Sequence, residues 1–194
     1  MEPKLQAIVA TDLLSKCWEL DHELKLLYDQ VLNSTEQPLY WTELASNAAH
    51  LEEEIIFPLA FHFLDLESAN TLLITWSTQA ILWHGMIQLH QLMQHLESVG
   101  LVGQDTRPLI LREPGHQRDY VPPALNIFQS VEYCTREEFL DLGPKSIAAP
   151  LRVAIDILRA YPAYDREVLW GRRMLQKVQA RSLRILNFYV ESKY

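Results

Sequence analysis

The chain has 194 residues, of which 48% are hydrophobic and 22% are charged, and its formal net charge is −8. This length and composition are typical of one globular domain, so we expect a single domain over residues 1–194. The acidic balance disfavours nucleic acid as a partner, because phosphates require a basic surface. No run approaches the roughly 18 apolar residues of a membrane span. The N-terminus also lacks the apolar core of a secretion signal.

The only two cysteines, Cys17 and Cys134, lie far apart in the sequence. Disulfides are rare in reducing compartments, and this chain shows no secretion signal. The pattern therefore indicates free thiols and predicts a cytosolic or nuclear protein.

Helical periodicity dominates the first half of the chain. A first helix is predicted over Pro3–Leu32, because apolar residues recur there in steps of three and four. A second helix is predicted from Thr42 to Glu54, with Thr42 as its N-cap, and the segment PLAFHFLDL then reads as a turn or a short extended piece. A third helix is predicted from Glu67 to Ser98. Its middle carries so little charge that we expect it to be the most enclosed helix.

The segment from Gly100 to Pro123 differs from its surroundings. It contains three glycines and four prolines and only scattered apolar residues. Connections of this length are uncommon within compact domains and are usually lids, binding loops or disordered segments. We therefore predict a long loop or lid over residues 100–123.

The stretch Ile127–Leu158 reads as two helices joined at Gly143-Pro144. Gly143 fits a left-handed cap, and Pro144 cannot continue the preceding helix. Ser146 is then a candidate N-cap, although Pro150 suggests that the regular part of the second helix starts later. The expected inward face of that helix comprises Leu151, Ala154, Ile155 and Leu158, and a last helix is expected from Asp165 to about Glu191.

Two charges, Glu132 and Arg152, lie in largely apolar surroundings in this stretch. A charge near a core is costly unless it is paired, so we expect the two side chains to face each other or to bond backbone at the turn. A catalytic acid at Glu132 is the alternative interpretation.

The motifs QSVEYC, LGP and APLRVAIDIL resemble the C-terminal part of fungal-specific transcription factor regulatory domains, which follow the DNA-binding cluster in zinc binuclear cluster proteins. Upstream, IIFPLAFHFLDLESANTLLITWSTQAILW is similar to that family's proline-interrupted apolar segment and Trp-bearing helix. The tail VLWGRRMLQKVQARSLRIL is similar to its closing helix. The resemblance covers about Leu39 to Phe188 and implies an all-α, multi-helix domain.

The chain departs from that family in its cysteines. A binuclear zinc cluster needs six thiolates, and this sequence has two cysteines. We therefore expect either a fragment or a regulatory-type domain that stands alone without binding DNA.

Recognisable catalytic and cofactor motifs are missing from the sequence. There is no Gly-x-Ser-x-Gly elbow, phosphate loop or dinucleotide fingerprint. Glu19 and His22 form one Glu-x-x-His step, but a di-iron site needs two such steps and two further glutamates. Cys134 is expected to be an inert core thiol. We expect no cofactor and no metal.

The remaining candidates are aromatic, imidazole and carboxyl groups on elements that we expect to pack together. Trp76, Trp83 and His90 are spaced by seven and share one helix stripe, which is more often core packing than a pocket. An apolar pocket with a few convergent polar groups is nevertheless the usual form of a binding site. The candidate catalytic residues are His84, Tyr133 and Glu132, and the candidate substrate-binding residues are Trp76, Trp83, His90 and Tyr120.

Two functions fit these observations. One is a cofactor-independent cyclase or isomerase acting on an apolar intermediate of fungal secondary metabolism, for example by a Diels–Alder-type ring closure. The alternative is a regulator or metabolite-sensing protein that does not bind DNA, and a truncated product without a role of its own is a third interpretation. The expected partner is an apolar small molecule, with a homodimer as an option, and the expected location is the cytoplasm, or the nucleus for a regulator.

Overall fold

The computed structural model describes residues 3–46, 50–51, 54–101 and 119–191. The protein is mostly α-helical, as predicted. Its contacts divide the chain into two compact units. The first comprises Met1–Val31 and Ile81–Tyr120, and the second comprises Leu32–Ala80 and Val121–Tyr194. A single domain over 1–194 stays a prediction.

Helix α1 spans Pro3–Leu32, which confirms the first predicted helix. Within the first unit, its residues Ala7 and Ala10 form a small buried cluster with Met93 and Leu96. The hydroxyl of Thr11 donates to the carbonyl of Ala7 at 2.7 Å.

Helix α2 spans Leu66–Ser98, as predicted within one residue. The backbone N–H of Ser68 donates to the Asp65 carboxylate at 2.7 Å, and this hydrogen bond lowers the pKa of Asp65. Asp65 therefore satisfies one of the backbone donors that the first turn leaves unpaired. The hydroxyls of Thr75, Ser77 and Thr78 donate to carbonyls four residues earlier, so these polar residues fit within the helix.

The predicted helix from Thr42 to Glu54 is wrong. Strand β1 (Tyr40–Leu44) pairs antiparallel with strand β4 (Leu59–Phe63). Between them, β2 (His50–Leu51) pairs with β3 (Glu54–Ile55). Aromatic and β-branched residues favour a pleated ribbon over a helix here, and the partner strand supplies the hydrogen bonds. The extended alternative for the segment after Pro58 is confirmed.

The β1–β4 register places alternate residues on opposite faces. Tyr40 lies opposite Phe63, and Trp41 lies opposite His62. Tyr40, Phe61 and Phe63 all pack around the ring of Trp76. This aromatic cluster anchors the ribbon on the part of α2 that belongs to the second unit.

The stretch that begins at Ile127 is more broken than predicted. Helix α3 spans Val121–Gln129, helix α4 is the short Val131–Cys134, and a 3₁₀ turn covers Glu137–Phe139. Helix α5 spans Leu142–Leu158, and its predicted inward face is buried throughout.

The predicted roles of three residues at the joint are therefore corrected. Gly143 and Pro144 lie in the first turn of α5 instead of ending the preceding helix, and Asp141 takes the N-cap position that we expected for Ser146. Pro150 lies inside the helix. The left-handed residue at this joint is Leu140, with φ of 48°.

Gly143 is needed for space and not for its backbone freedom. A Cβ atom at this position would lie 2.1 Å from the carbonyl oxygen of Cys134 and 3.0 Å from Cβ of Phe139. The missing side chain lets α5 start directly against the end of α4.

Helix α6 spans Asp165–Glu191, which confirms the last predicted helix. It packs on α5, and its Trp170 also contacts Phe57 edge-to-face and Phe128 of α3, which stack on each other. A Cβ at Gly171 would lie 2.2 Å from Cε1 of Phe128, so the backbone of α6 is in close contact with that ring. These residues form part of the core of the second unit.

Most of the predicted loop or lid over residues 100–123 lies outside the described residues. The described part shows Val121, Pro122 and Pro123 already in α3, so helical structure begins earlier than predicted. In the described parts of the chain, no helix combines the length and the apolar character needed to cross a membrane.

Candidate functional site

The carboxylate of Glu132 has a structural role in the second unit. The backbone N–H of Ser46 donates to Oε2 of Glu132 at 2.9 Å, so Glu132 holds the segment that follows β1. Arg152 is exposed on α5. The predicted ion pair between Glu132 and Arg152 is not among the ion pairs of the described residues. Because Arg152 is exposed to solvent, it does not require a buried partner.

A small groove lies beside Glu132. The space in it that a water-sized sphere can reach is about 10 Å³, which suffices for roughly one water molecule. A drug-sized ligand needs about 300 Å³ or more. The groove in this form is therefore too small for a substrate. Its lining residues are Ala45, Phe57, Leu59, Ala60, Phe128, Gln129, Glu132, Trp170 and Met174.

Tyr133 is a packed aromatic residue of the second unit. Its ring contacts Phe63 at 5.1 Å and Phe139 at 4.9 Å between ring centroids. The guanidinium carbon of Arg136 lies 4.9 Å from the Tyr133 ring centroid. Burial raises the pKa of the Tyr133 phenol, and the charge of Arg136 opposes that rise. The phenol therefore stays protonated at neutral pH.

Sequence reasoning missed the polar cluster around His62. This buried imidazole accepts a hydrogen bond at Nδ1 from Nη2 of Arg136, at 2.5 Å. Because a guanidinium only donates, Nδ1 carries no proton in this arrangement. Oε2 of Glu43 lies 3.5 Å from Nδ1, and Nη1 of Arg136 lies 3.5 Å from Oε1 of Glu138. Burial along β4 does not alternate, because Ala60 to Phe63 are all buried, so the strand pattern indicated neither the face of His62 nor its partner 74 residues away.

The two exposed carboxylates, of Glu43 and Glu138, make the net charge of this cluster negative. Glu43 and Glu138 together outnumber the single positive charge of Arg136. Arg136 is therefore a poor receptor for an anionic ligand. We interpret the cluster as a polar clamp between the β1–β4 ribbon and the turn after α4. Nη1 of Arg181 donates to the carbonyl of Thr135 at 2.7 Å and holds the same turn from α6.

The aromatic stripe of α2 serves packing at its described contacts. Trp76 is buried in the aromatic cluster of the second unit. In the first unit, Nε1 of Trp83 donates to the carboxylate of Asp21 at 2.6 Å, and His90 is buried. Core packing was the interpretation that the sequence favoured for the Trp stripe, and Trp76 fits it.

His84 differs from the other candidates. Its Nδ1 is buried and has no hydrogen-bond partner among the described residues. The ring lies edge-to-face against Tyr120, with 5.1 Å between centroids. Burial lowers the pKa of His84, so the imidazole is neutral at pH 7. Buried polar atoms without a partner are rare in proteins, and each one points to strain, a bound water or a ligand.

The predicted site residues fall into two groups. Trp83, His84, His90 and Tyr120 belong to the first unit. Trp76, Glu132 and Tyr133 belong to the second. The contact between His84 and Tyr120 joins one predicted catalytic residue to one predicted binding residue. Glu132 and Tyr133 are neighbours in sequence, but they contact different groups.

Cys134 is fully buried, as predicted. Burial raises the pKa of its thiol to about 12, so the thiol is not a nucleophile at neutral pH. Among the described residues, no group of three or more His, Cys, Asp or Glu side chains could hold a metal ion.

No protein-family model matches this sequence, and no curated protein or solved structure matches it. The resemblance to fungal regulatory domains therefore stays a prediction. The candidate functional site is His84, with its unpartnered Nδ1 and its contact with Tyr120.

Proposed function

We propose that this protein is a metabolite-sensing regulatory module that binds an apolar small molecule carrying one polar atom. The observation that carries the proposal is the buried Nδ1 of His84, which lacks a partner beside the ring of Tyr120. A ligand hydroxyl or carbonyl that reached this nitrogen would satisfy it. The ring of Tyr120 would pack against the apolar part of the ligand.

Binding is favoured over catalysis by the roles of the other two candidate groups. The Glu132 carboxylate accepts the backbone hydrogen bond of Ser46, and the Tyr133 ring is packed between aromatic residues and Arg136. Acid–base catalysis would require a second group within hydrogen-bond reach of the substrate atom. One neutral imidazole is enough to orient a ligand.

Two small aromatic probes test this site directly. We expect p-cresol to bind the protein about fivefold more tightly than toluene, because one neutral hydrogen bond contributes about 1 kcal/mol. The measurement is a titration followed by ligand-observed NMR. His84→Phe keeps a ring against Tyr120 but removes the nitrogen, so we expect the preference for p-cresol to disappear.

The matched control is His95→Phe, because His95 is an exposed imidazole on the same helix. This variant should keep the full preference for p-cresol. Equal affinity of the two probes for the unmodified protein, no binding of either probe, or an unchanged preference in His84→Phe would each contradict the proposed site.

A cofactor-independent cyclase acting on an apolar intermediate is the second candidate function. The observation that favours it is the lowered pKa of His84, because a neutral, desolvated imidazole can polarise a reacting group by hydrogen bonding. A pericyclic ring closure would need little more than this one group and a shaped apolar site.

Deletion of the gene in its host separates the two functions. For a regulator, we expect the transcripts of neighbouring genes to fall together. For a cyclase, one intermediate should accumulate in the mass spectra while those transcripts hold steady. Complementation with the His84→Phe allele should fail under either function, and the His95→Phe allele should restore the wild-type pattern. Rescue by His84→Phe would remove His84 from both proposals.

A further inference from the structure

Helix α1 presents a second apolar face that the described residues of its own unit do not cover. The buried face of the helix is formed by Ala7, Ala10, Leu14 and Asp21. A separate row lies beside it and follows the alternating three- and four-residue spacing of a coiled-coil seam. This row, called the α1 seam below, consists of Leu13, Cys17, Leu20, Leu24, Leu27 and Val31.

The α1 seam is open to solvent in the described structure. Leu13, Leu20 and Leu27 are exposed by 44%, 53% and 58%, and Cys17, Leu24 and Val31 are half-buried. Single exposed leucines are ordinary, but a continuous apolar row of this length marks an interaction surface. The knobs-into-holes spacing indicates that the partner is another helix with the same repeat.

We propose that the α1 seam binds the α1 seam of a second copy of this chain, in antiparallel orientation. The proposal does not involve His84 and is independent of the proposed function. A two-fold pairing of identical helices closes at two copies and leaves no further seam exposed.

The charges that flank the seam select the orientation and the register. Lys16 and Glu23 are exposed and lie seven residues apart on one side of the seam. Nζ of Lys16 donates to Asp12 at 2.7 Å within the helix, but this exposed pair contributes little stability and the ammonium keeps further N–H groups for a second carboxylate. When Leu20 lies opposite Cys17 of the second copy, antiparallel packing places Lys16 beside Glu23 of that copy, and the symmetry makes this pair twice. A register that sets Leu20 against Leu24 would instead place the two Glu23 side chains together.

Parallel pairing lacks this complementarity. It would bring Lys16 towards Asp21 of the second copy, because these are the facing flank positions of a parallel coiled coil. Asp21 is buried, and its carboxylate already accepts the indole N–H of Trp83 at 2.6 Å. The opposite side of the seam is therefore committed to packing within the unit.

Sedimentation velocity of the full chain tests the pairing. We expect a concentration-dependent dimer and loss of that dimer in Leu20→Glu. Lys16→Glu and Glu23→Lys should each weaken the dimer about tenfold, and the double variant should recover most of the affinity, because it restores both cross-pairs in reversed order. Lys25→Glu, a charge reversal away from the seam, should leave the affinity unchanged.

Each variant is first checked for unchanged thermal unfolding at a concentration where the chain is monomeric. A chain that stays monomeric at all concentrations would overturn the proposal. Loss of affinity in both single variants without recovery in the double variant would overturn the antiparallel register.

A cross-link provides a second readout. In the Cys17→Ser background, Leu13→Cys combined with Leu24→Cys should form a disulfide between position 13 of one copy and position 24 of the other. Within one helix these positions are about 16 Å apart, beyond the roughly 7 Å limit for a disulfide. Disulfides between identical positions would show parallel pairing and would contradict the proposal.

Discussion

Gly143→Ala is expected to destabilise the protein by about 3 kcal/mol, the upper end of the range for overpacked sites. The new methyl group would lie 2.1 Å from the carbonyl oxygen of Cys134. That carbonyl belongs to a fully buried residue, so the backbone has little room to give way. For a chain of this size, the loss corresponds to a decrease in melting temperature of roughly 6–12 °C. Calorimetry or thermal unfolding followed by circular dichroism measures it.

Gly85→Ala is the matched control for this prediction. Gly85 lies within α2, and a Cβ at this position meets no atom within 4 Å. Alanine is favoured over glycine in a helix by up to about 1 kcal/mol, so this variant should be as stable as the unmodified protein or slightly more stable. If both variants lost the same stability, the close approach of α5 to Cys134 would not be the cause.

Phe128→Ala is expected to cost about 3–5 kcal/mol in the free energy of unfolding, as for other buried phenylalanines. The Phe128 ring is 1% exposed and lies 5.7 Å from Phe57 and 5.9 Å from Trp170, between ring centroids. The α6 backbone at Gly171 packs against the same ring. The substitution would leave a cavity where α3 and α6 meet the core. Urea denaturation measures the effect through the midpoint and slope.

Phe139→Ala is the control. Phe139 is only half-buried, so its truncation should lower the free energy of unfolding clearly less than Phe128→Ala does.

A double-mutant cycle tests the contact between Phe128 and the α6 backbone at Gly171. Gly171→Ala alone should cost about 1–3 kcal/mol through the clash with Phe128. In a Phe128→Leu background that cost should shrink, because the ring atoms it meets are gone. Additive losses would contradict direct packing between the α6 backbone and the ring.

The long helices could be predicted from the sequence because their signal is local. In α1, α2 and α6, apolar residues recur at helical spacing over many turns, so chance has little influence on the pattern. The inward face of α5 followed from the same periodicity. The β1–β4 ribbon could not be predicted in this way, because short strands depend on a partner strand that is distant in sequence.

The same contrast between local patterns and long-range contacts holds for the candidate site. Burial of Cys134 and the packing role of Trp76 followed from their positions on apolar faces. The hydrogen-bond partners of the polar groups could not be predicted from the sequence. Glu132 bonds Ser46 across 86 residues, and His62 bonds Arg136 across 74. The sequence predicted that Glu132 and Arg152 face each other or bond backbone at the turn, because it treated both as buried. Arg152 is exposed, and Glu132 bonds backbone at Ser46, in another segment.

The sequence by itself determined the mostly helical fold, the bounds of the three long helices and the apolar repeat of the α1 seam, because each depends on periodicity within one segment. Only the tertiary structure decided that Gly143 serves close packing, that Glu132 accepts the backbone N–H of Ser46, that Tyr133 packs against Phe63 and Phe139, and that Nδ1 of His84 has no partner among the described residues. The reason is physical. The role of a side chain depends on the atoms that surround it, and the deciding atoms can come from distant parts of the sequence, as with Ser46 beside Glu132 and Tyr120 beside His84.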